Sequence, residues 1–141
     1  MLKIGKRSFT LIELVLVVSL VVILAVIGTS SSGKARNKAV SREAIANLKL
    51  IAAAERIYKM ENDADAYVAC ANTVACNNTL NLHLNATNWT YIVNGVSGSG
   101  STAAATVNAN GTARGISGCN YTLTSADFDT QDFTTKTGSC P

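Results

Sequence analysis

Apolar positions along this chain fall into two regimes. From Phe9 to Ile27 nearly every residue is apolar, the exceptions being Thr10, Glu13 and Ser19. From Lys34 to Met60 the pattern becomes periodic, with Val40, Ala44, Leu48, Ile51, Ala54 and Tyr58 recurring at steps of three and four. Such spacing puts them on one helical face, while Lys38, Arg42, Lys49 and Arg56 fall largely elsewhere. Neither Gly nor Pro interrupts 34–60. Gly28 and Gly33, flanking Thr29-Ser30-Ser31-Ser32, mark a soft spot rather than a stop. One helix of roughly fifty residues is therefore predicted, on the order of 75 Å at about 1.5 Å per residue. The carboxylates of Glu61-Asn62-Asp63-Ala64-Asp65 oppose the dipole of a helix C-terminus, and the helix is expected to end there.

Beyond it the chain turns to Asn, Thr, Ser and Gly with short alternating runs. Asn88–Val93 reads as a strand bounded by Asn94-Gly95, and 95–100 as a flexible loop. Thr102–Asn108 and Thr112–Arg114 flank Ala109-Asn110-Gly111, where Asn-Gly signals a hairpin. Asn120–Thr124 is a further strand candidate. The fold class expected is α+β: a long N-terminal helix, its apolar half protruding and its amphipathic half packed on a small antiparallel sheet. The corresponding segments are 1–8, a basic leader; 9–30, an apolar helix; 31–61, its amphipathic continuation; and 62–141, a β-rich head.

Charge sharpens this division. Residues 1–60 carry ten Lys and Arg against three Glu (+7), and residues 61–141 carry two against six Asp and Glu (−4). The overall +3 of the 141-residue chain gives no case for nucleic acid as a partner. Lys3, Lys6 and Arg7 precede the apolar run, so the positive-inside rule places the N-terminus in the cytoplasm and the head outside. A run of this length is a transmembrane candidate, and Glu13 within it is costly, by roughly 2.5–3.5 kcal/mol for an acid at a helix centre. Such a carboxylate calls for a partner.

The residues Lys6-Arg7-Ser8-Phe9-Thr10-Leu11-Ile12-Glu13-Leu14 resemble the N-terminal processing motif of type IV pilins and type II secretion pseudopilins. Direct similarity covers about residues 3–30. The resemblance implies a pilin-like fold and cleavage between Ser8 and Phe9 by a prepilin peptidase, with N-methylation of Phe9 by the same enzyme. It also implies that Glu13 pairs with the freed Phe9 amine of a neighbouring copy during assembly, since a buried ion pair costs less than either charge alone. The implied partners are further copies in a helical filament, an inner-membrane assembly platform with minor pilins, and membrane lipid before assembly. The implied location is the bacterial inner membrane, single-pass, and then a pilus or periplasmic pseudopilus. Ser8 stands where family leaders usually have Gly, and Ser30 where many type IV pilins have Pro. The function expected is a structural subunit of a pilus or pilus-like filament. The alternatives are the major pseudopilin of a type II secretion system and, more remotely, a monomeric membrane-anchored binding module.

Four cysteines, Cys70, Cys76, Cys119 and Cys140, lie in the acidic half. An even number beside a membrane-directing segment points to disulfides in an oxidising compartment. Three connectivities satisfy the count, and local closure favours Cys70–Cys76 with Cys119–Cys140. Zinc is the poorer reading, because His83 is the sole histidine. Asp127, Asp129 and Asp132 form a weak calcium candidate, calcium taking six to eight oxygens; solvated acids are the plainer reading, and no cofactor is expected. Asn85, Asn88, Asn110 and Asn120 match the glycosylation pattern as an Asn/Thr-rich chain does by chance. No Gly-x-Ser-x-Gly or phosphate-cradling glycine motif occurs, and the chain is not expected to be an enzyme.

Overall fold

A computed structural model describes residues 10–128 and 135–141; for residues 27–32 nothing is said of the side chains. The chain divides into two compact units, Met1–Arg36 and Asn37–Pro141. Helix α1 runs Leu11–Glu61 and contributes to both.

In the first unit, Thr10 starts the helix. Its carbonyl accepts the N–H groups of Glu13 (3.1 Å) and Leu14 (3.3 Å). Its hydroxyl accepts the Glu13 N–H as well, at 3.4 Å. A threonine oxygen on the third N–H of a helix is the usual way of satisfying a donor that has no carbonyl partner.

The second unit is built on the amphipathic face read from the sequence. Ala44, Leu48, Ile51 and Ala52 are buried, with Val40, Ala54 and Tyr58 half-buried beside them. They pack with residues of a four-stranded antiparallel sheet in the order β1-β2-β3-β4. Its strands are β1 (Trp89–Ser97), β2 (Ala104–Gly111), β3 (Asn120–Thr124) and β4 (Thr135–Thr137). Alternation decides the faces: Trp89, Tyr91 and Val93, then Ala105, Val107 and Ala109, then Tyr121 and Leu123 are buried. The intervening Thr and Asn residues are more exposed, as a strand's two-residue period requires. Between β1 and α1, a short helix α2 (Thr73–Thr79) is capped by the Asn72 side chain, which accepts the Ala75 N–H at 2.9 Å. The segment before α2 pairs with β1 at Cys70 and Val93, through bonds of 3.1 and 2.9 Å.

Two disulfides, Cys70–Cys76 and Cys119–Cys140, close the head, with Cα separations of 5.1 and 4.8 Å. The first ties α2 to the segment that pairs with β1. The second joins the start of β3 to the end of the chain.

Several expectations are corrected. Among the described residues no helix is long and apolar enough to cross a membrane. The transmembrane helix therefore falls, and with it the single-pass inner-membrane location and the membrane-anchored module. The sheet is small and open, not a pilin head. The pilin-like fold and assembly as a type IV pilus or type II pseudopilus through a membrane-derived helix are withdrawn with it.

The hairpin expected at Asn110-Gly111 is likewise displaced. Both residues belong to β2, Asn110 opposite Thr90 and Gly111 opposite Trp89. The link out of β2 instead runs through 112–119, and in the separate turn between β1 and β2 Gly98 has φ +69° and a Cβ would meet the Thr102 carbonyl oxygen at 2.4 Å. That close approach explains a glycine at this turn.

Candidate interaction surface

The residues singled out in the sequence do not converge on one chemical site. Ser8 and Phe9, expected at a cleavage and methylation site, lie outside the described residues, as do Asp129 and Asp132. The expected pairing of Glu13 with a Phe9 amine thus involves a residue that is not described. Glu13 itself occupies the first turn of α1. A carboxylate there faces the positive end of the helix dipole, an interaction of about 0.3–1 kcal/mol, so a purely local reason exists for an acid at this position.

Asp127 ends a 3₁₀ turn (Ser125–Asp127), and its carboxylate accepts the Thr124 hydroxyl at 2.6 Å. No cluster of three His, Cys, Asp or Glu residues suited to a metal occurs among the described residues. His83 is exposed on the segment after α2, and the four cysteines are taken up in the two disulfides.

Two groups that sequence reasoning missed are buried in the head. Glu55 has 0 % exposure on the core face of α1, and its Oε2 accepts the Val68 N–H at 3.0 Å. Its Oε1 has no partner among the described residues. Burial raises this carboxyl from 4.5 to about 7, partly offset by the Val68 N–H. Tyr91 is buried on β1, and burial pushes its phenol up to about 12, against the opposing donation from Asn47. The signal for Glu55 was available, because it follows Ile51 by four residues on the same face. The perturbation of both groups follows from their enclosure in the head.

The one feature of large extent is apolar. Leu14, Val15, Leu16, Val17 and Val18 are consecutive, and their exposures run from 51 to 61 %. Consecutive residues on a helix point in directions about 100° apart, so five in a row sample its whole circumference. Among the described residues none shelters a side of this stretch. The same holds from Leu20 to Leu24, at 52 to 69 %. Ser19 does not break the surface, since its hydroxyl donates back to the Leu16 carbonyl at 2.8 Å. An isolated helix that is apolar all round is normally covered by something.

No family model matches the chain, and neither a curated protein nor a solved structure does. The resemblance at residues 6–14 therefore gains no independent support, and the family assignment is withdrawn together with the fold it implied.

Proposed function

We propose that this chain is non-enzymatic and works as a homo-oligomer, its copies covering one another's exposed apolar side chains within Leu11–Val26. The observation that carries the proposal is the all-round exposure of that stretch. Fully burying one large aliphatic side chain stabilises by about 1.5–3 kcal/mol, and covering many half-exposed ones amounts to on the order of 10 kcal/mol. Association costs an estimated 4–15 kcal/mol, so the gain is of the size needed to hold copies together.

A single partner helix covers one side only. Coverage of every side requires several neighbours, which favours a bundle of copies over a simple dimer. The head carries a polar Asn/Thr surface closed by two disulfides. One cleft of the head, of about 450 Å³, is lined by Asn72, Thr73, Val74, Ala75, Ala86 and neighbouring residues, with no acid or base among them.

Amine-reactive cross-linking of the full chain followed by denaturing electrophoresis tests the proposal. A ladder of masses at multiples of 14.7 kDa should appear at low protein concentration. It should collapse to the single band when Leu16 and Leu20 are both changed to Lys. A wild-type protein that cross-links no better than that variant would refute self-association.

A further inference from the structure

The chain between α1 and the first disulfide, residues 62–69, forms neither helix nor strand, and both of its ends are fixed. The Asn62 N–H closes onto the Tyr58 carbonyl of α1 at 2.9 Å, while Cys70 is bonded to Cys76 and paired with Val93 of β1. Between these anchors the strap is held by a few separate contacts. Val68 donates its N–H to the Glu55 carboxyl at 3.0 Å, and the Asp65 carbonyl accepts the Gly100 N–H at 2.8 Å. The Asp65 carboxylate stands 4.0 Å from the Lys59 ammonium, and the Tyr67 ring meets Phe128 edge-on at 5.4 Å. Asp65 also has φ +47°, a left-handed conformation uncommon for a residue with a Cβ.

Glu55 is the one buried acid among the described residues. It is wholly enclosed, with one oxygen on the Val68 N–H and the other without a partner among the described residues. A carboxylate held by a single N–H in the interior is poorly compensated, whereas the protonated acid keeps the Val68 bond and carries no charge. The charged and phenolic groups on the surrounding elements are engaged elsewhere or lie at the surface. Lys59, one turn along α1, donates to the Gly100 carbonyl at 2.6 Å, and Arg56 is exposed. Asp63 and Asp65 of the strap are exposed, the Tyr91 phenol of β1 accepts the Asn47 amide, and Asp127 accepts the Thr124 hydroxyl. Burial and the Val68 N–H alone set the Glu55 carboxyl, which rises from 4.5 to about 7.

We infer that residues 62–69 are a proton-controlled latch, shut on α1 while Glu55 carries its proton and lifting between its two anchors when Glu55 ionises. The helix and the sheet are tied by regular ladders of hydrogen bonds, so the strap is the part that yields at least cost and lets water reach the charge. Asp65 and Tyr67 form part of the wall of a cleft of about 240 Å³, together with Lys59, Ser125 and Phe128. Lifting the strap opens that cleft. The shut state holds a proton that the open state releases, so opening grows as pH rises from about 4.5 to about 7 and levels off above.

Residue-resolved amide exchange of the full, disulfide-closed chain between pH 5 and pH 8, each rate divided by that of an unstructured peptide, tests this. The normalised Val68 rate should rise roughly thirtyfold across that range. At pH 8 it should exceed that of Cys70, whose N–H donates to the Val93 carbonyl at 3.1 Å, by at least about tenfold. Urea below the unfolding transition should leave the Val68 rate unchanged, because a local opening exposes little surface, and should raise the Cys70 rate. Glu55→Gln should abolish the pH dependence at Val68, and Asp65→Asn should preserve it. Melting curves establish that both variants are folded, and the comparison of Val68 with Cys70 needs neither. A pH-independent Val68 rate, equal normalised rates at Val68 and Cys70, or a rise that survives Glu55→Gln or disappears in Asp65→Asn would each overturn the inference.

Discussion

The backbone N–H of Val68 donates to one carboxylate oxygen of Glu55 at 3.0 Å, and the other oxygen is buried without a partner among the described residues. One bond pins the segment after α1 back onto the helix, while the unmatched oxygen makes the charged form of Glu55 unwelcome. Its carboxyl rises from 4.5 to about 7 for that reason. The folded state therefore keeps a proton that the unfolded chain releases. Stability from this group is complete below about pH 4.5 and is lost as pH rises through about 7. Urea unfolding should show a decline on the order of 2 kcal/mol across that window, the full conversion of about 1.4 kcal/mol per pKa unit being reduced by solvent screening. Glu55→Gln should flatten the profile. An unchanged slope in that variant would assign the pH dependence elsewhere.

Trp89 is fully buried at the start of β1, and its indole N–H donates to the Val40 carbonyl of α1 at 2.9 Å. Its ring lies 5.6 Å from that of Tyr121 on β3. Trp89→Ala should cost about 3–5 kcal/mol. Trp89→Phe keeps an aromatic ring but leaves the indole's place partly empty and its bond unmade, and it should cost about half as much. Denaturant midpoints of the two variants check the order.

The two disulfides constrain loops of different length, with sequence separations of 6 for Cys70–Cys76 and 21 for Cys119–Cys140. On the chain-entropy account, closing them contributes about 2 and about 3 kcal/mol respectively. Replacing Cys119 and Cys140 together by Ala should therefore lower the melting temperature more than replacing Cys70 and Cys76. The reverse order would mean that the packing of α2 on β1 outweighs loop closure.

Gly111 sits where a side chain has no room: a Cβ would stand 2.2 Å from the Ile116 carbonyl oxygen. Its N–H donates to the Cys119 carbonyl at 2.8 Å, which holds the link between β2 and β3. Gly111→Ala should destabilise by about 1–3 kcal/mol through overpacking against backbone. Thermal denaturation gives the comparison, with Gly118→Ala a poor control because Gly118 has φ +79°.

These positions show what could be read from the residue order. The face containing Ala44, Leu48 and Ile51 was legible because helical periodicity and burial agree there. β1 and β3 were legible through alternation. Asn110-Gly111 misled, because its pairing with Trp89 and Thr90 lies far along the chain and outweighs the local turn preference. Helix α2 escaped notice since Thr73–Thr79 has weak intrinsic propensity and is held by the Asn72 cap and the Cys70–Cys76 bond. β4 has three exposed residues and no apolar pattern to announce it.

The claim that organises the account is that copies cover one another's Leu11–Val26 stretch. Sedimentation equilibrium of the full chain in detergent-free buffer, beside Leu16→Lys/Leu20→Lys, tests it most directly. The wild type should sediment as a concentration-dependent assembly above dimer, and the double variant at the 14.7 kDa of one chain, with the head's near-ultraviolet spectrum unchanged. A wild type that stays at 14.7 kDa throughout a micromolar concentration series would contradict the account.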